Sequence, residues 1–392
     1  MLQIINTLKK EFSMDLSKIP IIDTHTHPFD PAKEDDDFRI YFNMSLWRPP
    51  ASVVTDTVVT RKMIRELAKL IGAPFGATQD EIAEFRTKLY KSDPKAYIHK
   101  LMKSTNIKTM LVDTGFPHEQ FTGYSVDLKV FSDLVGCEIH PIFRMDTSVF
   151  KIFKDMPSTF EEALDILDKD FEKAIKVDKV ISLKSIIAYE TGLEIFRHTE
   201  KEAGEAYERF KKDRNKVDEK ILRDYFCVIG LLKAKENNLP MQFHTGLGSA
   251  PALDLRVANP ILMQYLLAED DIKEVKVVIT HSGYPYTTET GYMISIFPNV
   301  YCDITAINPY FGVAGKKAIL ELLEFGPANR IMFGADGVII PETYWMGYTQ
   351  GVKVLGSALD ELVSSDWITA GEAMEFAEKI LYKNALEIYG LK

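Results

Sequence analysis

The chain has 392 residues, a net charge of −10 and a pI near 5.4, and 46% of its residues are hydrophobic. This length admits two ordinary domains or one large α/β barrel with insertions. The acidic balance argues against a nucleic-acid surface, which needs a basic patch to neutralise phosphates, so we expect a small-molecule ligand.

Membrane and secretion signals are absent from the sequence pattern. No run reaches the roughly 18 apolar residues of a membrane span, and residues 1–20 lack the apolar centre of a signal peptide. Residues 1–18 instead predict a short helix. Three separated cysteines, Cys137, Cys227 and Cys302, without a CxxC pair, predict buried reduced thiols. We expect a cytoplasmic enzyme with no membrane partner.

The first predicted strand, 20–25, leads into two histidines separated by one residue, His25 and His27. Side chains at i and i+2 of a strand point to the same face, so these two can reach one metal ion together. Residues 29–106 then form a long insertion with helical patterns at 58–72 and 79–103. A connection of this length near an active site often acts as a lid.

Beyond the insertion, strand and helix patterns alternate. Helices are predicted over 158–177, within 197–238 and over 368–392. The eight strand candidates are 20–25, 107–112, 138–144, 179–184, 240–244, 275–281, 299–304 and 330–336. Apolar strands separated by helices indicate a parallel sheet covered on both sides, and eight of them indicate a closed (β/α)8 barrel. We therefore predict an α/β fold, a TIM barrel with a helical insertion after strand 1, as one domain over 1–392.

Three later strands end in further candidate metal ligands. His244, His281 and Asp336 stand at the carboxyl ends of their predicted strands, the face that carries the active site in such barrels. The role of His281 is open between ligand and base. Asp336 alternatively caps a helix, since Asp is favoured there. Together with the histidine pair, these residues predict a catalytic metal centre.

Lys184 ends the fourth strand and cannot bind a metal as an ammonium ion. If burial and nearby cations lower its pKa, the neutral amine can take up carbon dioxide, and the carbamate can bridge two ions. The alternative is a lysine that pairs with an acid or with a substrate carboxylate.

Two residues near strand ends are candidate substrate contacts. Arg144 can place its guanidinium on a substrate carboxylate, or it can pair with Asp146 or another neighbouring acid. Tyr189 belongs to a set of aromatic residues on predicted mouth loops, which either line a pocket or pack the loops: Trp47, Tyr189, Tyr284, Tyr286, Tyr310, Phe311 and Trp345.

These motifs resemble those of the amidohydrolase superfamily of metal-dependent TIM-barrel enzymes. The resemblance extends over nearly the whole chain and lies in Asp23-Thr24-His25-Thr26-His27, Phe243-His244-Thr245-Gly246, Thr280-His281-Ser282-Gly283-Tyr284-Pro285, Phe333-Gly334-Ala335-Asp336 and the end Asn384 to Leu391. The stretches 242–260 and 281–292 look like the amidohydrolase-type domain fused to glutamine synthetase in nodulin-related proteins.

The resemblance implies two groups of metal ligands among the candidate residues. His25, His27 and Asp336 would bind the more buried metal, whereas Lys184, His244 and His281 would hold a second ion. In single-metal relatives His244 joins the first group, and His281 serves as a base or orients water. Nitrogen and oxygen ligands suit zinc, manganese, iron or nickel, with zinc favoured here, at one or two ions per chain.

Three functions fit this pattern. The first is hydrolysis of an amide or related C–N bond of a small molecule, with Asp336 as both ligand and proton shuttle and His281 as a second catalytic candidate. The second is decarboxylation or sugar-acid isomerisation on the same barrel. The third is a binding scaffold without catalysis. Enzymes of this type are often dimers or larger, so we expect a homo-oligomer.

Overall fold

Eight parallel strands form the centre of the molecule, as the sequence predicts. The computed structural model describes residues 14–33 and 37–392. The strands are β1 (Ile21–Thr26), β2 (Ile107–Asp113), β3 (Glu138–Arg144), β4 (Ser182–Ser185), β5 (Met241–Phe243), β6 (Val277–Ile279), β7 (Val300–Asp303) and β8 (Ile331–Met332). They lie side by side in chain order, and each neighbouring pair is parallel. The prediction of a (β/α)8 TIM barrel is confirmed.

Backbone hydrogen bonds between β1 and the segment after β8 close the ring. The amide of Thr24 donates to the carbonyl of Phe333 at 3.0 Å, and the amide of Asp336 donates to the carbonyl of His25, also at 3.0 Å. Gly334 permits this approach, because a Cβ there would lie 2.3 Å from Asp23 Oδ1. The first and last strands therefore bring their carboxyl ends together.

Helices surround the barrel and fill the insertion. The first group is α1 (Ala51–Val54), α2 (Val58–Ile71), α3 (Gln79–Ser92), α4 (Pro94–Lys103), α5 (Glu119–Thr122), α6 (Leu128–Val135), α7 (Asp146–Asp155) and α8 (Phe160–Glu172). The second is α9 (Glu200–Asp213), α10 (Lys216–Glu236), α11 (Gln264–Leu267), α12 (Thr287–Ile296), α13 (Ile307–Tyr310), α14 (Val313–Phe325), α15 (Pro341–Ser364), α16 (Ala370–Glu378) and α17 (Asn384–Tyr389). Among the described residues none of these helices is both long and apolar enough to cross a membrane.

Several predicted helices differ in detail. The pattern over 79–103 is two helices, because the Asp93 side chain caps α4 and Pro94 occupies its first turn. The charged stretch within 197–238 is likewise two helices, since Arg214 ends α9 in the left-handed conformation. The helix predicted over 1–18 is wrong for residues 14–18, and its remainder lies outside the described residues.

Two of the predicted strands are shorter than expected at their functional ends. β6 ends at Ile279 and β8 ends at Met332, so His281 and Asp336 lie in the turns that follow. The backbones of His281, Ser282 and Asp336 have φ values of 63°, 53° and 55°, in the left-handed region that L-residues with side chains rarely adopt. His281 and Asp336 are therefore positioned by turns rather than by regular strand geometry.

The barrel interior has an apolar half that the C-terminal helix covers. Side chains from five strands form one cluster with residues of α17: Ile22, Leu111, Ile142, Val278, Met332, Ala385, Ile388 and Tyr389. A larger cluster lies between the barrel and its outer helices. Cys227 and Cys302 are buried as predicted, Cys137 is half-buried, and all three are free thiols. The polar site therefore rests on an apolar plug.

A buried ion pair attaches the insertion to the barrel. Arg86 of α3 donates from Nη2 to Glu342 Oε2 of α15 at 2.8 Å, and both side chains are fully buried. Tyr97 of α4 donates to the same carboxylate at 2.6 Å, and the guanidinium lies 4.3 Å from the centroid of the Phe38 ring. Because α15 follows the loop that carries Asp336, this pair connects the insertion to one wall of the site.

We predict that Arg86→Met destabilises the fold by about 3–5 kcal/mol, because it leaves the Glu342 carboxylate buried without its charge partner. Urea unfolding measures the change. The exposed pair of Arg256 and Asp254 provides a control, and Arg256→Met is expected to have little effect. The double variant Arg86→Met/Glu342→Leu should lose less stability than Arg86→Met alone. Equal unfolding midpoints for Arg86→Met and Arg256→Met would contradict the prediction.

Candidate metal centre

Three predicted ligands converge at the carboxyl end of the barrel. His25 Nε2 lies 3.6 Å and His27 Nε2 lies 3.4 Å from the same oxygen, Asp336 Oδ1. These separations are too long for hydrogen bonds. They match the roughly 3.4 Å between two ligand atoms that each bind one tetrahedral ion at about 2.1 Å. The three atoms therefore have the spacing of one metal site.

The donor set fits a divalent ion in its chemistry as well as its spacing. The atoms are two imidazole nitrogens and a carboxylate oxygen, which suit zinc and other first-row metals. Two triplets of potential ligand atoms lie within 4.8 Å of one another: His25 with His281 and Asp336, and His25 with His27 and Asp113. His25, His27 and Asp336 would thus hold one ion, and Asp113 and His281 lie close to them.

A buried glutamine fixes the protonation of His25. Gln242 Nε2 donates to the carbonyl of Thr24 at 2.8 Å, and a carbonyl can only accept, so the orientation of the amide is determined. Gln242 Oε1 consequently faces His25 Nδ1 at 2.9 Å and accepts its proton. The lone pair of His25 then resides on Nε2, the atom directed towards Asp336.

The same amide reaches the C-terminal helix. Gln242 Nε2 also donates to the hydroxyl of Tyr389 in α17 at 2.8 Å. Both Gln242 and His25 are buried, so water does not compete for these hydrogen bonds. The apolar cluster at the bottom of the barrel therefore makes a polar contact through Tyr389 to Gln242, the residue that orients His25.

His281 and His244 form a second connected pair. Thr305 donates its hydroxyl proton to Asp303, so its oxygen accepts from His281 Nδ1 at 2.8 Å. His281 Nε2 therefore accepts from His244 Nδ1 at 3.0 Å. His244 Nε2 remains buried without a protein partner among the described residues. These hydrogen bonds leave the buried His244 Nε2 unprotonated beside Gly248.

Burial keeps the histidines of the centre neutral. It lowers the pKa of His25, His244 and His281 well below the ordinary value, and the nearby charge of Lys184 adds to the effect. A neutral imidazole is the form that binds a metal. These three side chains are therefore in the binding form at neutral pH.

Lys184 lies beneath the histidines and is completely buried. Its Nζ donates to Thr280 Oγ1 at 3.0 Å. Burial lowers the pKa of this amine from 10.5 to about 8, whereas the carboxylates of Asp113 and Asp303 oppose the shift. Part of the amine is thus neutral near physiological pH, and the neutral amine is the form that can take up carbon dioxide.

Arg144 pairs with Asp113 rather than with Asp146. Its Nε and Nη2 atoms donate to Asp113 Oδ2 at 3.0 and 2.6 Å. Burial raises the pKa of the Asp113 carboxyl, but Arg144, His27 and Lys184 together outweigh burial and hold the pKa below the ordinary value. Asp146 instead accepts from the amide of Ile186 at 2.8 Å. Arg144 therefore forms an ion pair, which was one of the two alternatives, and its partner is Asp113. Its side chain also borders the cavity.

A cavity of about 560 Å³ opens above these residues. It is bordered by all six predicted metal-centre residues, by Arg144 and by two of the seven aromatic candidates, Tyr189 and Tyr310. The Tyr189 ring lies 4.6 Å from that of His244, centroid to centroid. Trp47 is instead 73% exposed, and Trp345 is buried with its Nε1 donating to Ser104. Tyr189 thus borders the cavity beside His244, and its contact with a substrate stays a prediction.

Sequence reasoning missed Asp113 and Gln242. Asp113 ends β2 and satisfies the same criterion that identified Asp336, a carboxylate at a strand's carboxyl end. Gln242 precedes His244 by two residues and so shares its face of β5, which was the available signal. A neutral amide is not a metal ligand in the usual patterns, and its role depends on contacts with β1.

Comparison with known proteins agrees with this geometry. Residues 218–391 match the family model described as amidohydrolase. Protein fluG of Emericella nidulans is 32% identical over 339 residues, which cover 80% of this chain and 38% of that protein. The chain therefore spans about two fifths of the length of this curated relative.

Solved structures share the fold over almost the whole chain. A candidate metal-dependent hydrolase from Lactobacillus casei is 24% identical with a TM-score of 0.80, and 97% of each chain is covered. A uronate isomerase from Thermotoga maritima is 16% identical with a TM-score of 0.64, and 95% of each chain is covered. At these identities the likeness is one of fold.

We predict that Gln242→Leu weakens metal binding by about 10–100-fold, because His25 loses the acceptor that fixes its tautomer. Gln242→Glu keeps an acceptor for Nδ1 but sets a second oxygen against the Thr24 carbonyl, so its affinity should lie between those of the wild type and Gln242→Leu. Metal dissociation constants from competition with a chromophoric chelator measure both. Gln350 is another buried glutamine, remote from the cavity in α15, and Gln350→Leu is the matched control. Unchanged affinity in Gln242→Leu would contradict the assignment.

Proposed function

The chain belongs to the amidohydrolase superfamily, and on this basis we propose that it is a metal-dependent hydrolase that cleaves an amide or related C–N bond of a small molecule. The observation that carries the proposal is the convergence of His25 Nε2, His27 Nε2 and Asp336 Oδ1 at 3.4–3.6 Å. A bound divalent ion supplies an acidified water and polarises the substrate carbonyl.

Asp336 is proposed as the proton shuttle. Its side chain is 19% exposed at the cavity floor, and Oδ2 lies 3.9 Å from His281 Nδ1. The carboxylate would take a proton from the attacking water as the C–O bond forms. It would return this proton to the nitrogen as the C–N bond breaks, so that the amine leaves neutral.

His244 and His281 are proposed to hold either the attacking water, through the unpartnered Nε2 of His244, or a second ion, for which the hydrogen bond between the two rings would have to break. Neutral imidazoles suit both roles, and the unpartnered Nε2 of His244 faces the cavity wall that Tyr189 shares. The lowered pKa of Lys184 supports a carbamate there, and with it a two-ion centre, zinc being favoured. Without a carbamate, Lys184 is a cation for the substrate.

A second candidate is a decarboxylase or sugar-acid isomerase on the same site. The observation in its favour is the pair of cations, Arg144 and Lys184, that border the cavity. The Arg144 guanidinium is already anchored by Asp113 and is therefore held in position for a carboxylate of the ligand. The two candidates share the metal centre and differ in the bond that breaks.

We propose that the insertion is a lid over this site. Residues 40–48 contribute several cavity-bordering side chains. The amide of Leu46 donates to the carbonyl of Ala250 at 2.8 Å, and the amide of Ala250 donates to the carbonyl of Met44 at 3.2 Å. This short parallel contact attaches the insertion to the loop after His244, where closure would exclude water.

Asp336→Asn is predicted to lower turnover by about 10³-fold or more, because an amide cannot accept the proton from water. Steady-state kinetics on the first amide substrate found by screening provide the measurement. Asp366 is exposed and has a similar left-handed φ of 61°, so Asp366→Asn is the matched control and should retain activity. Retained turnover in Asp336→Asn, with a normal circular dichroism spectrum, would remove Asp336 from this role.

Elemental mass spectrometry of protein prepared with bicarbonate and without chelator is expected to give about two metal ions per chain if Lys184 is carbamylated. Lys184→Met should then reduce the ratio to about one, because the bridging oxygens are lost. A ratio near one in both proteins would make Lys184 a cation for the substrate. It would also favour the decarboxylase or isomerase alternative.

A further inference from the structure

The cavity is bordered by residues of two kinds. Its floor carries the charged and metal-binding side chains described above. Four apolar residues that border the same cavity each follow a polar site residue by two or three positions in the chain: Phe116 after Asp113, Ile186 after Lys184, Leu247 after His244 and Ile339 after Asp336. We call these four residues the apolar collar.

The four collar residues border the cavity, and Ile339 also packs against the hydrophobic core. All four are half-buried, although apolar residues next to a barrel are usually buried completely. Three further apolar residues of the insertion, Ile40, Met44 and Leu46, border the same cavity from above. A ligand above the metal centre therefore meets apolar surface from the collar and from the insertion, although Asn43, Ser45 and Arg48 of the insertion also border the cavity.

Several polar groups of the cavity wall already have partners within the protein. Asn43 Oδ1 accepts from the amide of Ser45 at 2.8 Å, and the Tyr189 hydroxyl accepts from the amide of Ser249 at 3.0 Å. Glu190 pairs with Arg223 at 2.9 Å. A ligand hydroxyl enclosed by this wall would lose its hydrogen bonds to water without equal replacement.

We propose that the substrate carries a carboxylate held at Arg144 and an apolar body, of cycloalkyl, aryl or branched alkyl type, enclosed by the apolar collar. The inference rests on the proposed function for the assignment of this cavity as the catalytic site. It goes further in excluding polyhydroxylated acids, whose hydroxyl groups would meet Phe116, Ile186, Leu247 and Ile339.

Three probes with a common six-membered ring separate the two parts of the proposal. Cyclohexanecarboxylate has the charge and the apolar ring, glucuronate has the charge and a hydroxylated ring, and cyclohexanecarboxamide has the apolar ring without the charge. Isothermal titration calorimetry on the metal-loaded protein should show cyclohexanecarboxylate binding about tenfold or more tightly than either of the others. Glucuronate binding as tightly as cyclohexanecarboxylate, or more tightly, would overturn the proposal.

Variants assign the preference to particular residues. Leu247→Asn should narrow the ratio between cyclohexanecarboxylate and glucuronate, and Phe116→Ser should do the same if the first variant folds poorly. Leu323 is half-buried on α14, away from the cavity, and Leu323→Asn should leave the ratio unchanged. Arg144→Gln should reduce the preference for the acid over the carboxamide. An unchanged ratio in both collar variants, with native circular dichroism, would refute the role of the collar.

These measurements do not depend on turnover, because none of the probes is required to react. Preference for the apolar acid without hydrolysis of any amide would refute the proposed function and leave the ligand class standing. Hydrolysis of amides combined with preference for glucuronate would refute the ligand class alone.

Discussion

The junction between the first and last strands is the constraint on which the site depends. Two backbone hydrogen bonds, Thr24 to Phe333 and Asp336 to His25, join chain segments that are far apart in sequence. They place the two histidines of β1 against the carboxylate that follows β8, within the separations that one ion requires. The remaining site residues arrive on the intermediate strands, so ring closure assembles the whole floor of the cavity.

Much of this was accessible from the sequence because the signals are local. A parallel barrel strand is a short apolar run, and its carboxyl end is the functional face, so His25, His27, Lys184, His244, His281 and Asp336 could be named from their positions alone. The cavity brings all six together. The helix boundaries were less accessible, because a single capping residue such as Asp93 decides where one helix ends and the next begins.

The parts that could not be predicted depend on lateral contacts between strands. The pairing of Arg144 with Asp113 joins β3 to β2, and the sequence offered Asp146 as an equally reasonable partner. The role of Gln242 requires the carbonyl of Thr24 and the imidazole of His25 to lie on either side of one amide. Only the register of the barrel specifies such contacts, and no local pattern encodes it. The same holds for the apolar collar, which becomes visible once the loops are side by side.

The left-handed turns at His281, Ser282 and Asp336 have a consequence for how ligands bind. Each such residue costs about 1–3 kcal/mol of backbone strain, which the surrounding contacts must offset during folding. The backbone at these residues is thereby fixed before any ligand arrives, and association spends little of its free energy on ordering it. Glycine in these turns would relieve strain and widen the range of backbone conformations. Selection for thermal stability alone would therefore favour glycine in these turns and a less ordered centre. Stability and order of the centre are opposed at this end of the barrel.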